Sequence, residues 1–105
     1  MTAAHLTVAE NRIADETVLT LTGEIDIATA GDLRAAAQRS IATSPKRVVL
    51  DFAGVTFCDS QGLGTLVVLS RKATMAQSCL VLTNVADFLL RVLDITGLRP
   101  ALMIH

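Results

Sequence analysis

The chain has 105 residues, of which 51% are hydrophobic and 3% aromatic, and its net charge is −1 at pH 7. This length fits a single domain spanning residues 1–105, with a core built from Leu, Val, Ile and Ala. Because Trp and Tyr are absent and the charges are balanced, we expect no surface that stacks bases or neutralises phosphates. The longest apolar runs have four residues, whereas a membrane span needs about twenty, so we expect no membrane partner either.

The cysteines and the N-terminus bear on the cellular compartment. Cys58 and Cys79 lie inside apolar runs, a pattern typical of buried free thiols in a reducing compartment and not of a disulfide framework. The N-terminus has neither a basic region nor an apolar signal core, so nothing in it indicates export. We therefore expect a cytoplasmic protein.

The first quarter of the chain predicts an antiparallel hairpin. His5–Glu10 is a short first strand, Asn11–Asp15 is a polar turn, and Thr17–Ile25 is a second strand rich in β-branched residues. Leucine and threonine alternate from Leu19 to Thr22, which is the period of two expected when one face of a strand is buried.

The rest of the chain alternates between helices and strands. Helices are predicted to begin at Thr29, near Gln61 and after Asn84, and strands to span Val48–Phe52, Cys79–Thr83 and Ala101–Ile104. Asp32 and Asp87 each lie three residues after a predicted capping side chain, and Gly97 predicts the end of the third helix. This alternation implies right-handed crossovers and a mixed, mostly parallel sheet against which helices pack, in a strand order that the sequence leaves open.

The stretch Val48–Ala73 organises the chain. Its strand is followed by a loop with the apolar patch Val55–Cys58 and then by Ser60, which we predict to be the N-cap of a long apolar helix. A helix N-terminus tolerates an added phosphate, because its free amides carry partial positive charge. Gly62 and Gly64 each cost a helix about 1 kcal/mol against alanine. Either the turn exposes bare backbone to a partner, or the glycines pack under a neighbouring strand.

The residues present oppose catalysis by this chain. The only histidines are His5 and His105, at the two ends, so no interior histidine is available as a base for Ser60. The chain also has no phosphate-loop motif and no complete dinucleotide-binding loop. We therefore predict that the protein is not an enzyme and has no catalytic residues.

Three aspartates could form an acidic metal pocket of the kind found in response-regulator receivers. Asp26, Asp51 and Asp59 follow or interrupt predicted strands, but the lysine that such a pocket needs at the end of a later strand is missing. The alternative is that Asp26 and Asp59 cap turns and face water. We therefore predict no bound metal and no cofactor.

Three segments resemble the STAS domain, and in particular the bacterial anti-sigma factor antagonists. They are Leu21–Asp26, Val48–Phe52 and Phe57–Gly64, of which the last contains Asp-Ser-x-Gly-Leu-Gly. The resemblance extends over nearly the whole chain. It implies one small α/β domain without catalysis of its own, with an N-terminal antiparallel hairpin and helices packed against a mixed, mostly parallel sheet.

The resemblance also implies a partner and a switch. In the family, the partner is an anti-sigma factor that is also a serine kinase, and it phosphorylates the serine directly after the aspartate, which maps to Ser60. A serine phosphatase reverses this modification. The unphosphorylated form binds the kinase and the sigma factor is released. The residues that the resemblance assigns to partner binding are Glu24, Asp26, Asp59, Ser60, Gln61, Gly62, Leu63 and Gly64.

Gln61 departs from the family pattern, because many members have a second serine there. We expect Leu63 and part of the apolar surface of the second helix to fill a pocket of the partner. A phosphate on Ser60 would place about −1.5 to −2 charges in that surface, beside Asp26 and Asp59, and would weaken binding.

Two alternatives stay open at this stage. The first is an adaptor or scaffold subunit of a stress-signalling complex, with the same fold and a different partner. Because such subunits often carry an extra N-terminal domain, the short chain favours the stand-alone antagonist. The second is a small phosphotransfer or nucleotide-binding enzyme, which the missing interior histidine and phosphate loop oppose.

Overall fold

The computed structural model describes residues 5–105. In chain order these residues form β1 (Leu6–Ile13), β2 (Glu16–Ile25), α1 (Ala30–Ala42), β3 (Arg47–Cys58), α2 (Ser60–Met75), β4 (Leu80–Thr83), α3 (Asp87–Thr96) and β5 (Met103–Ile104). A short 3-10 turn, Arg99–Ala101, precedes β5. No helix within residues 5–105 is long and apolar enough to cross a membrane.

The five strands form one sheet in the order β1-β2-β3-β4-β5. β1 and β2 are antiparallel, and the other neighbouring strands are parallel. This arrangement confirms the predicted mixed sheet with its N-terminal hairpin and adds the strand order. Each crossover moves one strand further in the same direction, so right-handed connections place α1, α2 and α3 on the same face of the sheet.

The core lies between that face and the three helices. The strands contribute the buried side chains of Leu19, Leu21, Val48, Leu50, Phe52, Leu80 and Leu82, and the helices contribute those of Leu33, Ile41, Leu66, Leu69, Leu89 and Leu93. Val18, Thr20 and Val49 point away from the helices and are only partly buried or exposed. The helices therefore cover only one face of the sheet.

The hairpin is longer than the sequence indicated. β1 continues to Ile13, so the predicted turn Asn11–Asp15 shrinks to Ala14 and Asp15, and Ala14 has a φ of 54°. Residues 11–13 pair with β2 although their side chains are exposed. A strand edge that buries no side chain has no alternating apolar pattern, which is why the prediction ended β1 too early.

β3 is a single strand of 12 residues, where the sequence predicted a strand ending at Phe52 and then a loop. Its pairing with β2 shifts at two places, and each shift leaves one extra residue in β3. Because of these two bulges, the buried side chains fall at Phe52, Val55 and Cys58, three residues apart. This spacing hides the period of two by which a strand is recognised.

The predicted capping box at the start of α1 is wrong. Thr29 occupies the N-cap position, but its side chain makes no capping hydrogen bond. Its hydroxyl instead donates to the backbone oxygen of Glu24 at 2.7 Å. The Thr29 hydroxyl therefore stabilises the loop before α1 and does not cap the helix. Asp32 consequently has no capping side chain with which to form a capping box.

The predicted start of the third helix is also wrong. Asn84 has a φ of 57°, and its side chain donates to Asp51 Oδ1 at 3.0 Å. α3 begins only at Asp87, with Ala86 at the N-cap position. The end is as predicted, because Gly97 closes α3 with a φ of 73°.

Candidate functional site

Two neighbouring parallel strands end side by side and bring the predicted site residues together. Ile25, the last residue of β2, is paired in register with Cys58, the last residue of β3. Asp26 and Asp59 therefore follow at the same edge of the sheet. Glu24 lies one position earlier, opposite Phe57. This edge is the point at which α2 begins.

Asp59, and not Ser60, is the N-cap of α2. Its Oδ1 accepts a hydrogen bond from the backbone N–H of Gly62 at 3.0 Å. Its own backbone N–H donates to the oxygen of Ile25 at 3.1 Å. Asp59 therefore ties the end of β2 to the first turn of α2, and the prediction that Ser60 is the capping residue is wrong.

Ser60 is the first residue of α2, and its side chain is exposed. Gln61, next to it, is exposed as well. The first turn of α2 contains no acidic residue, and its backbone amides point toward the N-terminal end of the helix. An anion attached to the Ser60 hydroxyl would thus lie at the positive end of the helix dipole.

Gly62 and Leu63 are buried and support the turn from below. A Cβ atom on Gly62 would lie 2.7 Å from Cys58 Sγ and 2.7 Å from Ile25 Cγ2. Leu63 is 2% exposed and belongs to the core. The expectation that Leu63 fills a pocket of the partner is therefore not met in this conformation, because the helix turns this side chain toward the sheet.

Gly64 differs from Gly62. It is exposed, and no atom lies within 4 Å of the place that its Cβ would occupy. No packing constraint within the described chain requires a glycine here. Of the two interpretations of the glycines, close packing under a strand therefore applies to Gly62. Gly64 instead leaves a stretch of helix backbone exposed.

Asp26 organises the loop between β2 and α1. Its Oδ1 accepts hydrogen bonds from the backbone N–H of Ala28 at 2.8 Å and from that of Thr29 at 3.2 Å. The closed loop leaves the side chain of Ile27 75% exposed. Phe57, at the end of β3, is 46% exposed. The sequence prediction did not include these two apolar side chains, although an isoleucine next to a turn aspartate was a usable signal.

The exposed face of α2 borders a groove against α1, here called the α1–α2 groove. It has a volume of about 380 Å³ and is lined by Arg34, Ser60, Gln61, Gly64, Thr65, Val68 and Lys72. The salt bridges within residues 5–105 join other pairs, so Arg34 and Lys72 take part in none of them. Arg34 and Lys72 were not predicted as site residues, because Arg34 lies beside α2 only through the packing of α1 against α2, whereas Val68 belongs to the apolar surface of the second helix that was expected to contact the partner.

The other chemically active side chains in this region are Cys58 and Asp51, and neither is placed for catalysis or metal binding. Burial, with a smaller contribution from the charge of Asp59, raises the pKa of the Cys58 thiol to about 12, so the thiol stays uncharged at neutral pH and is a poor nucleophile. Asp51 lies in the middle of β3 and accepts from Asn84, away from Asp26 and Asp59. No group of His, Cys, Asp or Glu within residues 5–105 is arranged to hold a metal ion.

Comparison with known proteins agrees with this fold. A family model described as "Mlab, STAS domain" matches residues 8–104, so the chain belongs to the STAS domain family. The chain is similar to an anti-sigma factor antagonist from Mycobacterium paratuberculosis, with 26% sequence identity and a TM-score of 0.85, over 96% of this chain and 86% of that chain.

Two structures of SpoIIAA are also similar. The anti-sigma factor antagonist SpoIIAA in its unphosphorylated form has 23% identity and a TM-score of 0.73, over 98% of this chain and 88% of that chain. The Bacillus cell fate determinant SpoIIAA in the phosphorylated form has 23% identity and a TM-score of 0.68, over 98% and 91%. At this identity the two structures show the shared fold alone.

Proposed function

We propose that this protein is an anti-sigma factor antagonist that acts by binding and not by catalysis. The single observation that carries the proposal is the placement of Ser60. It is exposed at the N-terminus of α2, directly after the capping Asp59. The likeness to the antagonist from Mycobacterium paratuberculosis supports the same role. The unphosphorylated protein binds an anti-sigma factor in the cytoplasm, and the sigma factor is released.

Phosphorylation of Ser60 is the proposed switch. The anti-sigma factor, acting as a serine kinase, transfers the γ-phosphoryl group of ATP to the Ser60 oxygen, releasing ADP and the hydroxyl proton. A serine phosphatase hydrolyses the ester and restores the hydroxyl. The phosphate adds about −1.5 to −2 charges at neutral pH, in the surface that the partner covers. A buried unpaired charge costs several kcal/mol, and each 1.4 kcal/mol is tenfold in affinity.

The predicted binding residues divide into two groups under this proposal. Ser60, Gln61 and Gly64 are exposed and contact the partner directly, with Asp26 and Glu24 at the edge of the contact. Gly62 and Leu63 are buried and hold α2 in position. Asp59 belongs to both groups, because it caps the helix while remaining partly accessible.

One alternative function has an observation in its favour. The family model that matches residues 8–104 is described as "Mlab, STAS domain", and this description names no anti-sigma factor, so it also fits a STAS domain that binds another partner. An adaptor subunit of a larger complex would use the same exposed edge, including Ile27 and Ser60, to bind a different partner. Binding to the anti-sigma kinase distinguishes the two functions.

The test is a calorimetric titration against the purified anti-sigma kinase encoded nearest to this gene. We expect Ser60→Ala to bind like the wild type, and Ser60→Asp to bind at least about tenfold more weakly, since it places a charge in the interface. Thr74→Asp is the matched control, because it adds the same charge at the exposed far end of the same helix. Equal affinities of the two Ser60 variants would contradict the switch.

Mass spectrometry supplies an independent measurement. Incubation with ATP and the kinase should add one phosphoryl group to the wild type and none to Ser60→Ala. ATP alone should add nothing. Labelling by ATP alone would indicate that the chain has a phosphotransfer activity of its own.

A further inference from the structure

We propose that the α1–α2 groove binds an acidic amphipathic helix of the anti-sigma factor, with carboxylates of that helix on Arg34 and Lys72. This inference rests on the proposed function and specifies the chemistry of its partner. It is carried by the shape of the groove, by its uncompensated positive charge and by the bare backbone at Gly64.

The groove follows one face of α2 over about three turns. Its lining residues on α2 are Ser60, Gln61, Gly64, Thr65, Val68 and Lys72, a spacing that matches the period of the helix. At about 1.5 Å per residue, the groove extends about 18 Å from Ser60 to Lys72. An amphipathic helix laid along such a surface makes contacts at intervals of three or four residues.

The lining carries two cations and no carboxylate. Arg34 comes from α1 and Lys72 from α2, and neither takes part in a salt bridge within residues 5–105. A guanidinium group binds a carboxylate through two parallel hydrogen bonds, and an ammonium group binds it as a point charge. A partner segment of matching charge therefore presents carboxylates at both positions.

The part of the groove formed by Gly64 and Val68 is open and carries no polar side chain. Val68 is 45% exposed, although it lies on the largely buried helix α2. Gly64 offers backbone without a side chain, and an alanine there would meet no atom within 4 Å. Because glycine costs an exposed helix about 1 kcal/mol against alanine, this residue is best explained by close approach of another chain. The occupant thus needs an apolar side chain over Val68 and a small residue over Gly64.

The groove also connects partner recognition to the switch. Ser60 and Arg34 both line this groove, and Ser60 is the first of its lining residues on α2. A phosphate on Ser60 repels the carboxylates of the acidic helix and competes with them for the guanidinium group. The acidic edge formed by Asp26, Asp59 and Glu24 lies beyond Ser60, so the binding surface is negative at one end and positive along the groove. Such a pattern sets the direction in which a partner binds.

Charge reversal tests the proposal with matched controls. We expect Arg34→Glu and Lys72→Glu each to weaken binding of the anti-sigma kinase at least about tenfold, mainly by repelling its carboxylates. Arg71→Glu changes the same charge at the neighbouring position of α2, and Arg91→Glu does so on α3; neither residue lines the groove. Both controls should bind within about threefold of the wild type. Binding of the groove variants should also depend less on salt concentration.

Photo-crosslinking identifies the occupant. A diazirine-bearing aliphatic residue in place of Val68 should capture a segment of the kinase rich in Asp and Glu. The same residue in place of Met75, which is exposed on α2 but outside the groove, should not capture that segment. Replacing the captured carboxylates by lysine should restore binding to Arg34→Glu.

Several outcomes would overturn the proposal. Capture of a second copy of this chain or of a basic segment, or wild-type affinity of both groove variants, would overturn it while leaving the antagonist function intact, provided that Ser60→Asp still weakens binding. A kinase that does not bind the wild type at all would overturn both proposals.

Discussion

Gly62 and Gly64 lie in the same turn of α2 but in opposite environments, one tightly packed and one open to solvent. Gly62 lies where α2 touches the ends of β2 and β3, and a Cβ atom would also lie 3.1 Å from the backbone oxygen of Ile25. Gly64, two residues on, points into open space. The sequence alone offers no way to tell them apart, because both are glycines at the start of an apolar helix. The difference arises from the strand that passes beneath only one of them.

The two positions should respond oppositely to alanine. Gly62→Ala should lower the free energy of unfolding by about 1–2 kcal/mol, since overpacking costs about 1–3 kcal/mol and outweighs the gain in helix propensity. Gly64→Ala should raise it by about 0.5–1 kcal/mol, because only the gain in propensity remains. Urea unfolding followed by circular dichroism measures both. Loss of stability in Gly64→Ala would show that the fold itself requires a residue without a side chain at this position.

The first turn of α2 is the element on which the site depends. Asp59 binds the amide of Gly62 and is itself bound to Ile25, so the end of β2 and the start of α2 are held together. This arrangement frees the neighbouring Ser60 from capping. A serine that also capped the helix would lose that contact on phosphorylation, whereas here the capping side chain and the hydroxyl proposed for phosphorylation belong to different residues.

The division of roles between these two residues can be measured. Asp59→Ala should cost about 1 kcal/mol of stability through the lost cap, and Asp59→Asn should retain most of it, because asparagine caps as well as aspartate. Ser60→Ala should change stability by less than about 0.5 kcal/mol. Chemical denaturation of the three variants gives the comparison. A cost for Ser60→Ala as large as that for Asp59→Ala would mean that Ser60 shares the capping role.

Only the first half of β3 can be predicted from the sequence pattern. Its first half, up to Phe52, has an apolar run that only Asp51 interrupts, and this run predicts a strand. Its second half contains the two bulges, which place Val55 and Cys58 in the core at a spacing of three residues. A bulge depends on the pairing with the neighbouring strand, and no local pattern announces it. The bulges matter for the site, because they set the register that pairs Ile25 with Cys58 and so places Asp26 and Asp59 at the same end of the two strands.

At the scale of the whole molecule, every helix lies on one face of the sheet, and the site lies where β2 and β3 end. The core residues of α2, such as Leu66 and Leu69, anchor the helix along its length. We therefore expect a charge added at the exposed N-terminal end of α2 to leave the packing of the core unchanged. The proposed switch acts on the binding surface and leaves the fold unchanged.

This separation predicts a difference between two nearby charges. Ser60→Asp should keep the free energy of unfolding within about 0.5 kcal/mol of the wild type, because an acid in the first turn interacts favourably with the helix dipole. Leu63→Asp should destabilise the fold by several kcal/mol, because it buries an unpaired charge. Thermal unfolding and amide NMR shifts measure the effect. Shifts of Ser60→Asp that extend through β3 and β4 would contradict a purely local switch.

The membership of the STAS family could be predicted from the sequence, because it depends on short segments that keep their order along the chain. The assignment of phosphorylation to Ser60 comes from the same segments and stays a prediction. The element types followed from local periodicity and composition, and so did the end of α3 at Gly97. The alternation from Leu19 to Thr22 also predicts the buried face of β2, but the placement of Leu63 and Ile27 required the folded chain. Leu63 turns inward and Ile27 outward because of the strand beneath α2 and the loop that Asp26 closes. Arg34 and Lys72 line one groove only because α1 and α2 pack against each other on the same sheet.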